Sequence, residues 1–309
     1  MKKISDVIPF VPVPSPEKPV PALSKRQRQI IDLSGAIAEQ TREEANELGF
    51  MSRLLLMVNL PYRDPGNNQK TWWRKNGNVS IDINSGTKEG KSIGLPYGAY
   101  PRLILAYLAT QAVKTQSPTI YLGKSFNHFL VMMNINTGGT TRKRLKEQLM
   151  RTLSASFSWT CDTEKQWSRI NANVAAGAQL WWEVQDADEG YNDWESFVRL
   201  NKDFYDEVIK MEFGNYLNNA VPLDLRVLSV LKNAPLGLDL YMFILWRIYK
   251  LKKPVYISWE SLQQQLGGQY ADVKVFARDC RSHIKRIKAI HPNLNISFVK
   301  GRLCLSVSF

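Results

Sequence analysis

One order of elements, met twice along the chain, constrains the fold more than any single motif. It runs apolar helix, short strand, short helix, Gly-Gly turn, basic helix, then a strand pair. In the first half, Pro101 stands in the first turn of a helix over Leu103–Val113. A strand at Ile120–Leu122 follows, then a helix over Phe126–Met133 capped by Ser125, the turn Thr137-Gly138-Gly139 and a helix over Thr140–Ser156. Phe157–Thr160 and Leu180–Val184 read as strands. In the second half, Pro235 opens an apolar helix, Val255–Trp259 is a strand and Glu260–Leu266 a short helix ending at Gly267-Gly268. The helix Asp272–Ile290 and a hairpin of Leu294–Val299 and Leu303–Val307, turning at Lys300-Gly301, close the chain. This is the order of a helix-turn-helix followed by a β-hairpin wing. It predicts an α+β fold of two tandem winged-helix domains. The residues themselves do not repeat, so the duplication rests on element order alone.

The rest of the sequence fits around that frame. Residues 1–23 hold six of the fifteen prolines and read as a Pro-rich tail. Gly214-Asn215 and Asn218-Asn219 divide a first domain, 24–213, from a second, 214–309. Within the first, Ser24 caps a helix running to about Leu48, where Gly49 stops it, and Leu54–Leu60 reads as a strand. Val79–Ile83 alternates with the period of a half-buried strand, Asp186–Gly190 is an acidic loop and Phe204–Met211 a helix. Pro222 opens the first helix of the second domain.

The two basic helices carry the strongest functional signal. On the second, Val273, Phe276, Ala277, Cys280, Ile284 and Ile287 fall on one face, while Lys274, Arg278, Arg281, Lys285 and Lys288 form a separate stripe. Like charges at i,i+4 weaken a helix by about 0.2–0.5 kcal/mol per pair, and no acid lies within this stripe to offset them. An external polyanion would. On the first, Thr140 and Thr141 precede Arg142, Lys143, Arg144, Lys146 and Arg151 against Glu147 alone. Cations at a helix start oppose its dipole unless a phosphate binds there. Leu145, Leu149 and Leu153 anchor the other face.

Charge placement connects these helices to the whole. The 309 residues carry 41 Lys+Arg against 28 Asp+Glu, a formal net charge of +13. Residues 140–151 hold five cations and one acid, and 272–291 hold six and two, so each helix contributes +4 and the pair +8. These are the helices that a helix-turn-helix inserts into the major groove, with Arg286, Lys300 and Arg302 nearby for the backbone. Double-stranded DNA is the expected partner. A membrane is not: the most apolar segment, Leu236–Leu251, is broken by Asp239, Arg247 and Lys250. The N-terminus lacks the apolar run of a secretory signal, and the three cysteines, Cys161, Cys280 and Cys304, include no Cys-x-x-Cys, which together predict a reducing cytoplasm.

Catalytic patterns fail one by one, so no enzyme, cofactor or metal is expected. Gly86–Ser92 has one residue too few between its glycines for a P-loop, and Gly94, Pro96 and Gly98 follow where a helix is required. Asp82, Glu89 and Lys91 imitate a metal-nuclease set, but two of them lie in a Gly/Ser turn. His283-x-x-Arg286 has the spacing of a recombinase site with no later tyrosine to attack. His128, His283 and His291 never pair as His-x-His.

Several strings resemble plasmid-encoded RepA-type replication initiators. They are Gly49-Phe-Met-Ser-Arg53, Leu60-Pro-Tyr-Arg-Asp-Pro65, Arg74-Lys-Asn-Gly77, Gly94-Leu-Pro-Tyr-Gly98 and Pro101-Arg102. Ala112-Val-Lys-Thr115, Leu122-Gly-Lys-Ser125, Thr137-Gly-Gly139 and Arg144-Leu-x-x-Gln148 continue the match, as do Val221–Leu225, Ala234–Tyr241 and Ile257-Ser-Trp-Glu260. The resemblance spans roughly residues 45–290 and departs at Gln111-Ala-Val-Lys114, where Glu and Arg are expected. It implies tandem winged-helix domains binding repeated origin sites (iterons), recruitment of a host initiator and replicative helicase, and a homodimeric form that represses its own gene. The alternative is a transcriptional repressor that binds operator DNA without a replication role.

Overall fold

The computed structural model describes residues 23–57, 59–66, 68–135, 137–180, 196–209, 220–249, 251–267 and 269–306. The expected 213/214 domain boundary and acidic loop 186–190 lie outside these residues, as do all but the first residue of the strand expected at Leu180–Val184 and all but the last residue of the tail, 1–23.

The chain begins with α1 (Lys25–Glu39), held at its start by a full capping box. Ser24 Oγ accepts from Gln27 N at 3.3 Å, and Gln27 Oε1 accepts from Ser24 N at 2.9 Å. The helix stops at Gln40 rather than Gly49. Next come β1 (Leu48–Ser52), α2 (Arg53–Met57), β2 (Thr71–Asn76), β3 (Val79–Asn84) and the two-residue strands β4 (Thr87–Lys88) and β5 (Lys91–Ser92). The expected strand at Leu54–Leu60 is therefore displaced. A short apolar run fits either helix or strand, and distant pairing settles it: β1 ladders with a segment near residue 222. The turn joining β4 to β5, with Glu89 and Gly90 at φ 51° and 75°, occupies the P-loop-like string.

The first repeat then runs α3 (Ala99–Thr115), β6 (Thr119–Tyr121), α4 (Phe126–Met132), α5 (Gly139–Ser154), β7 (Ser156–Thr163), β8 (Gln166–Asn173), β9 (Ala175–Gln179) and β10 (Phe197–Leu200). α6 (Lys202–Ile209), β11 (Ala220–Asp224) and α7 (Leu225–Leu231) lead to the second repeat. Pro222 lies inside β11, and Asp224 rather than proline caps α7, correcting the helix expected from Pro222. The second repeat is α8 (Pro235–Tyr249), β12 (Val255–Ser258), α9 (Trp259–Leu266), α10 (Val273–Ile290), β13 (Ile296–Val299) and β14 (Arg302–Leu305).

Sheet order extends the likeness of the halves beyond element order. The second repeat has an antiparallel sheet β12-β14-β13, and the first has β6-β10-β9. In each, the strand after the first helix pairs with the last strand of the closing hairpin. The first repeat differs by one insertion: hairpin β7-β8 joins β2 and β3 in a separate sheet, β2-β3-β7-β8. β7 was legible in the sequence and β8 was not, because β8 is exposed along nearly its whole length and has no apolar alternation.

The halves form one packed body. β1 pairs with β11 antiparallel, from Leu48↔Asp224 to Ser52↔Ala220. Arg226 ties α1 to α7, donating to the carbonyls of Ala36 and Gln40 while paired with Asp224 at 2.7 Å. Deepest lies Arg102 in α3, 3% exposed, bound in two-armed fashion to Asp239 of α8 and donating to the carbonyls of Leu60 and Gly98. A single buried cluster contains Ile104, Leu108 and Leu149 with Tyr241, Phe276 and Ile284. All three cysteines are free. Burial, with Asp279 adding to it, pushes the Cys280 thiol far above its usual range.

Candidate nucleic-acid interface

α10 buries Phe276, Ala277, Cys280, Ile284, Ile287 and Ile290 against the core, with its start capped by Asp272. The opposite side holds Lys274, Arg278, Lys285 and Lys288, all exposed. Arg278 is the one member paired with an acid on the same helix, Asp279 at 3.1 Å. Arg278 is 72% exposed and Asp279 33%, so solvent screens the pair and it restrains the arginine weakly.

Arg281 stands half-buried in the same stripe, its guanidinium 4.7 Å above the Trp259 ring. Trp259 lies 6.0 Å from Phe298 on β13. The ring stack therefore fixes the basic helix, the short helix before it and the hairpin relative to one another. Lys288 adds a second tie, donating to the Ile296 carbonyl at 2.7 Å. Lys300 and Arg302 are exposed at the hairpin turn, where Lys300 and Gly301 take φ 44° and 75°.

On α5 the start is built differently. Gly138 holds the N-cap position and supplies no side-chain acceptor to the first amides. Thr140, Lys143 and Arg144 are exposed, and Thr141, Arg142 and Lys146 half-buried, while Leu145, Leu149 and Leu153 are buried as the spacing requires. Arg151 does not belong to this surface. It is 7% exposed, donates to the Leu95 carbonyl at 3.1 Å, pairs with Glu147 at 2.6 Å and stacks 5.3 Å above the Tyr97 ring. It holds the Gly94–Gly98 loop against α5. Counting cations along a helix does not separate this flank from the exposed one.

Arg144 and Arg286 sit on flanks that meet a cleft between the repeats. A cavity of 940 Å³ is lined by Tyr62, Arg63, Lys232 and Arg286, and an adjoining one of 360 Å³ by Tyr62, Tyr97, Arg144 and Lys232. Arg63 and Lys232 escaped the sequence reading because they stand in connections outside any helical pattern. Their signal is only their place within the strings 60–65 and just before 234–241. Among the described residues, no cluster of His, Cys, Asp or Glu could hold a metal ion, and no helix is long and apolar enough to cross a membrane.

Comparison with known proteins gives two results. Residues 95–261 match the family described as plasmid encoded RepA protein. Among solved structures, the chain is similar to crystal structures of domains 2 and 3 of RctB. The selenomethionine form aligns at TM-score 0.53 and 13% identity, covering 84% of this chain and 97% of that one. A second, spanning RctB residues 155–483, aligns at TM-score 0.51 and 13% identity, covering 83% and 96%. At that identity the likeness speaks for the fold. No curated protein matches.

Proposed function

Because the chain belongs to the family of plasmid-encoded RepA proteins, we propose that it is a plasmid replication initiator that grips origin repeats through two winged-helix units. The observation that carries this reading is the repeated unit itself. Twice, a helix packs an apolar face inward and turns cations outward, in a fold whose hairpin sheet has the same strand order.

In this reading Lys143 and Arg144 of α5 and the Lys274–Lys288 stripe of α10 enter successive major grooves, about 34 Å apart along the duplex. Lys300 and Arg302 meet phosphates beside the second groove. The packed interface between the halves fixes their spacing, so the two helices read one site as a unit. A bound array would strain the adjacent duplex toward opening, most readily where the steps are flexible. Recruitment of a host initiator and helicase, and repression by a homodimer, follow from the family resemblance. The protein would act in the bacterial cytoplasm, without a cofactor and without catalysis of its own.

Footprinting on the DNA flanking the gene tests the core of this. Two protected major grooves per repeat are expected, and a single protected groove would sink the bipartite reading. Failure of that DNA to support replication of a plasmid when the protein is supplied would leave a repressor instead.

A further inference from the structure

The sheet β2-β3-β7-β8 buries one face, with Trp72, Ile81, Ile83, Phe157 and Trp159 in the core. Alternation puts the other side chains on the opposite face, where Ser158 is buried, Ser80, Asp82 and Thr160 are half-buried and the corners are exposed, and the register sets their order. One row reads Trp73, Asp82, Ser158, Asn171 across the four strands. The next reads Lys75, Ser80, Thr160, Arg169, and beyond it Asp162 stands opposite Trp167. Trp73 is 67% exposed and Trp167 63%. Two indoles this open stand apart from the rest of the face, which is polar.

We propose that this outer face is a stacking platform for an unpaired DNA strand. The inference rests on the initiator reading, since opening an origin exposes such a strand. Trp73 and Trp167 occupy opposite corners, roughly 20 Å apart from the spacing and rise of strands. Each offers a ring to a base, and every base has a face to stack. Between them lie Ser80, Asp82, Thr160 and Asn171, short donors and acceptors suited to base edges. Lys75 and Arg169 end the middle row, placed for phosphates, while Asp82 and Asp162 balance them on the same face, so stacking rather than net charge carries the contact. A duplex cannot stack on these rings, because its base faces are already covered.

A second copy of the chain fits the face less well. Apart from the two indoles, the rows contain no apolar side chain, whereas a dimer interface has an apolar centre with clustered anchors. Anchors at opposite corners leave that centre polar.

The test uses the full chain, a fluorescein-labelled thymidine dodecamer and the origin duplex. Wild type is expected to bind the dodecamer. The double variant Trp73→Ala/Trp167→Ala should lose about tenfold or more, as removal of stacking rings does elsewhere. Trp73→Phe/Trp167→Phe should stay near wild type, and both variants should footprint the duplex normally. No dodecamer binding by wild type, or equal binding by the alanine variant, overturns the proposal. So does a variant whose sole change is from dimer to monomer in sedimentation, which would give the face to a second copy. Loss of the duplex footprint in wild type would sink the initiator reading instead.

Discussion

Arg102 and Asp239 face each other across the junction of the two repeats, with Nε and Nη2 at 2.6 and 2.8 Å from the two carboxylate oxygens. They lie near the starts of α3 and α8, the opening helices of the two halves. The pair is nearly sealed from water, so each charge depends on the other. Removing one partner leaves an uncompensated charge. Asp239→Ala should cost about 3–5 kcal/mol in urea unfolding, while the apolar double replacement Arg102→Met/Asp239→Leu should recover only part of it, because it also takes the donor from the Leu60 and Gly98 carbonyls. Equal loss in both would mean that the pair contributes net attraction well beyond its own desolvation.

Arg151 and the α10 stripe should respond to mutation in opposite ways. Arg151→Ala strands the buried Leu95 carbonyl and is expected to cost about 1–3 kcal/mol of stability, with duplex affinity unchanged for the folded fraction. Lys274→Ala/Arg278→Ala should leave the unfolding midpoint nearly unmoved. It should lower duplex affinity and flatten the salt dependence by about 0.9 for each phosphate that is no longer neutralised. Thermal melts and anisotropy titrations over a salt series read both.

Gly94 stands at φ 87°, and a Cβ there would meet the Arg151 guanidinium at 2.6 Å. Gly94→Ala combines backbone strain of about 1–3 kcal/mol with displacement of that side chain. Gly35→Ala should do the opposite in urea unfolding and stabilise by about 0.4–1 kcal/mol, because nothing lies within 4 Å there and the chain is helical.

His291 stacks on Tyr241 at 5.8 Å, and burial holds its imidazole below the usual value, with Arg226 and Arg42 pushing the same way against Asp224. The unfolded chain therefore binds a proton near pH 6.5 that the folded chain still refuses. Stability should fall as pH drops below about 6.5, down to the folded value. Urea midpoints between pH 7.5 and 5.5 should drop less for His291→Phe than for wild type.

What the sequence made legible was whatever carried its own period. The inward face of α10 and its exposed stripe follow from spacing, and so does the alternating β3. Arg151 shares the spacing and charge of its neighbours, and only the Gly94–Gly98 loop, some fifty residues earlier in the chain, makes it buried. β1 was missed for the same reason, since its identity is set by β11. The pairing of Arg102 with Asp239 was present only as two fragments of family resemblance, with nothing local to show that they touch.

The ribbon of β1 and β11 has a consequence in time. Its register joins Leu48 to Asp224, so the first strand made at the ribosome waits for a partner some 175 residues behind it. At about 5–20 residues per second that wait is roughly 10–35 s, during which the buried face of β1 has no mate. Arg102 waits for Asp239, which emerges later still. The amino-terminal repeat thus emerges with one edge and one buried cation unanswered, and chaperone occupancy during synthesis should peak over that interval and fall once α8 has left the exit tunnel.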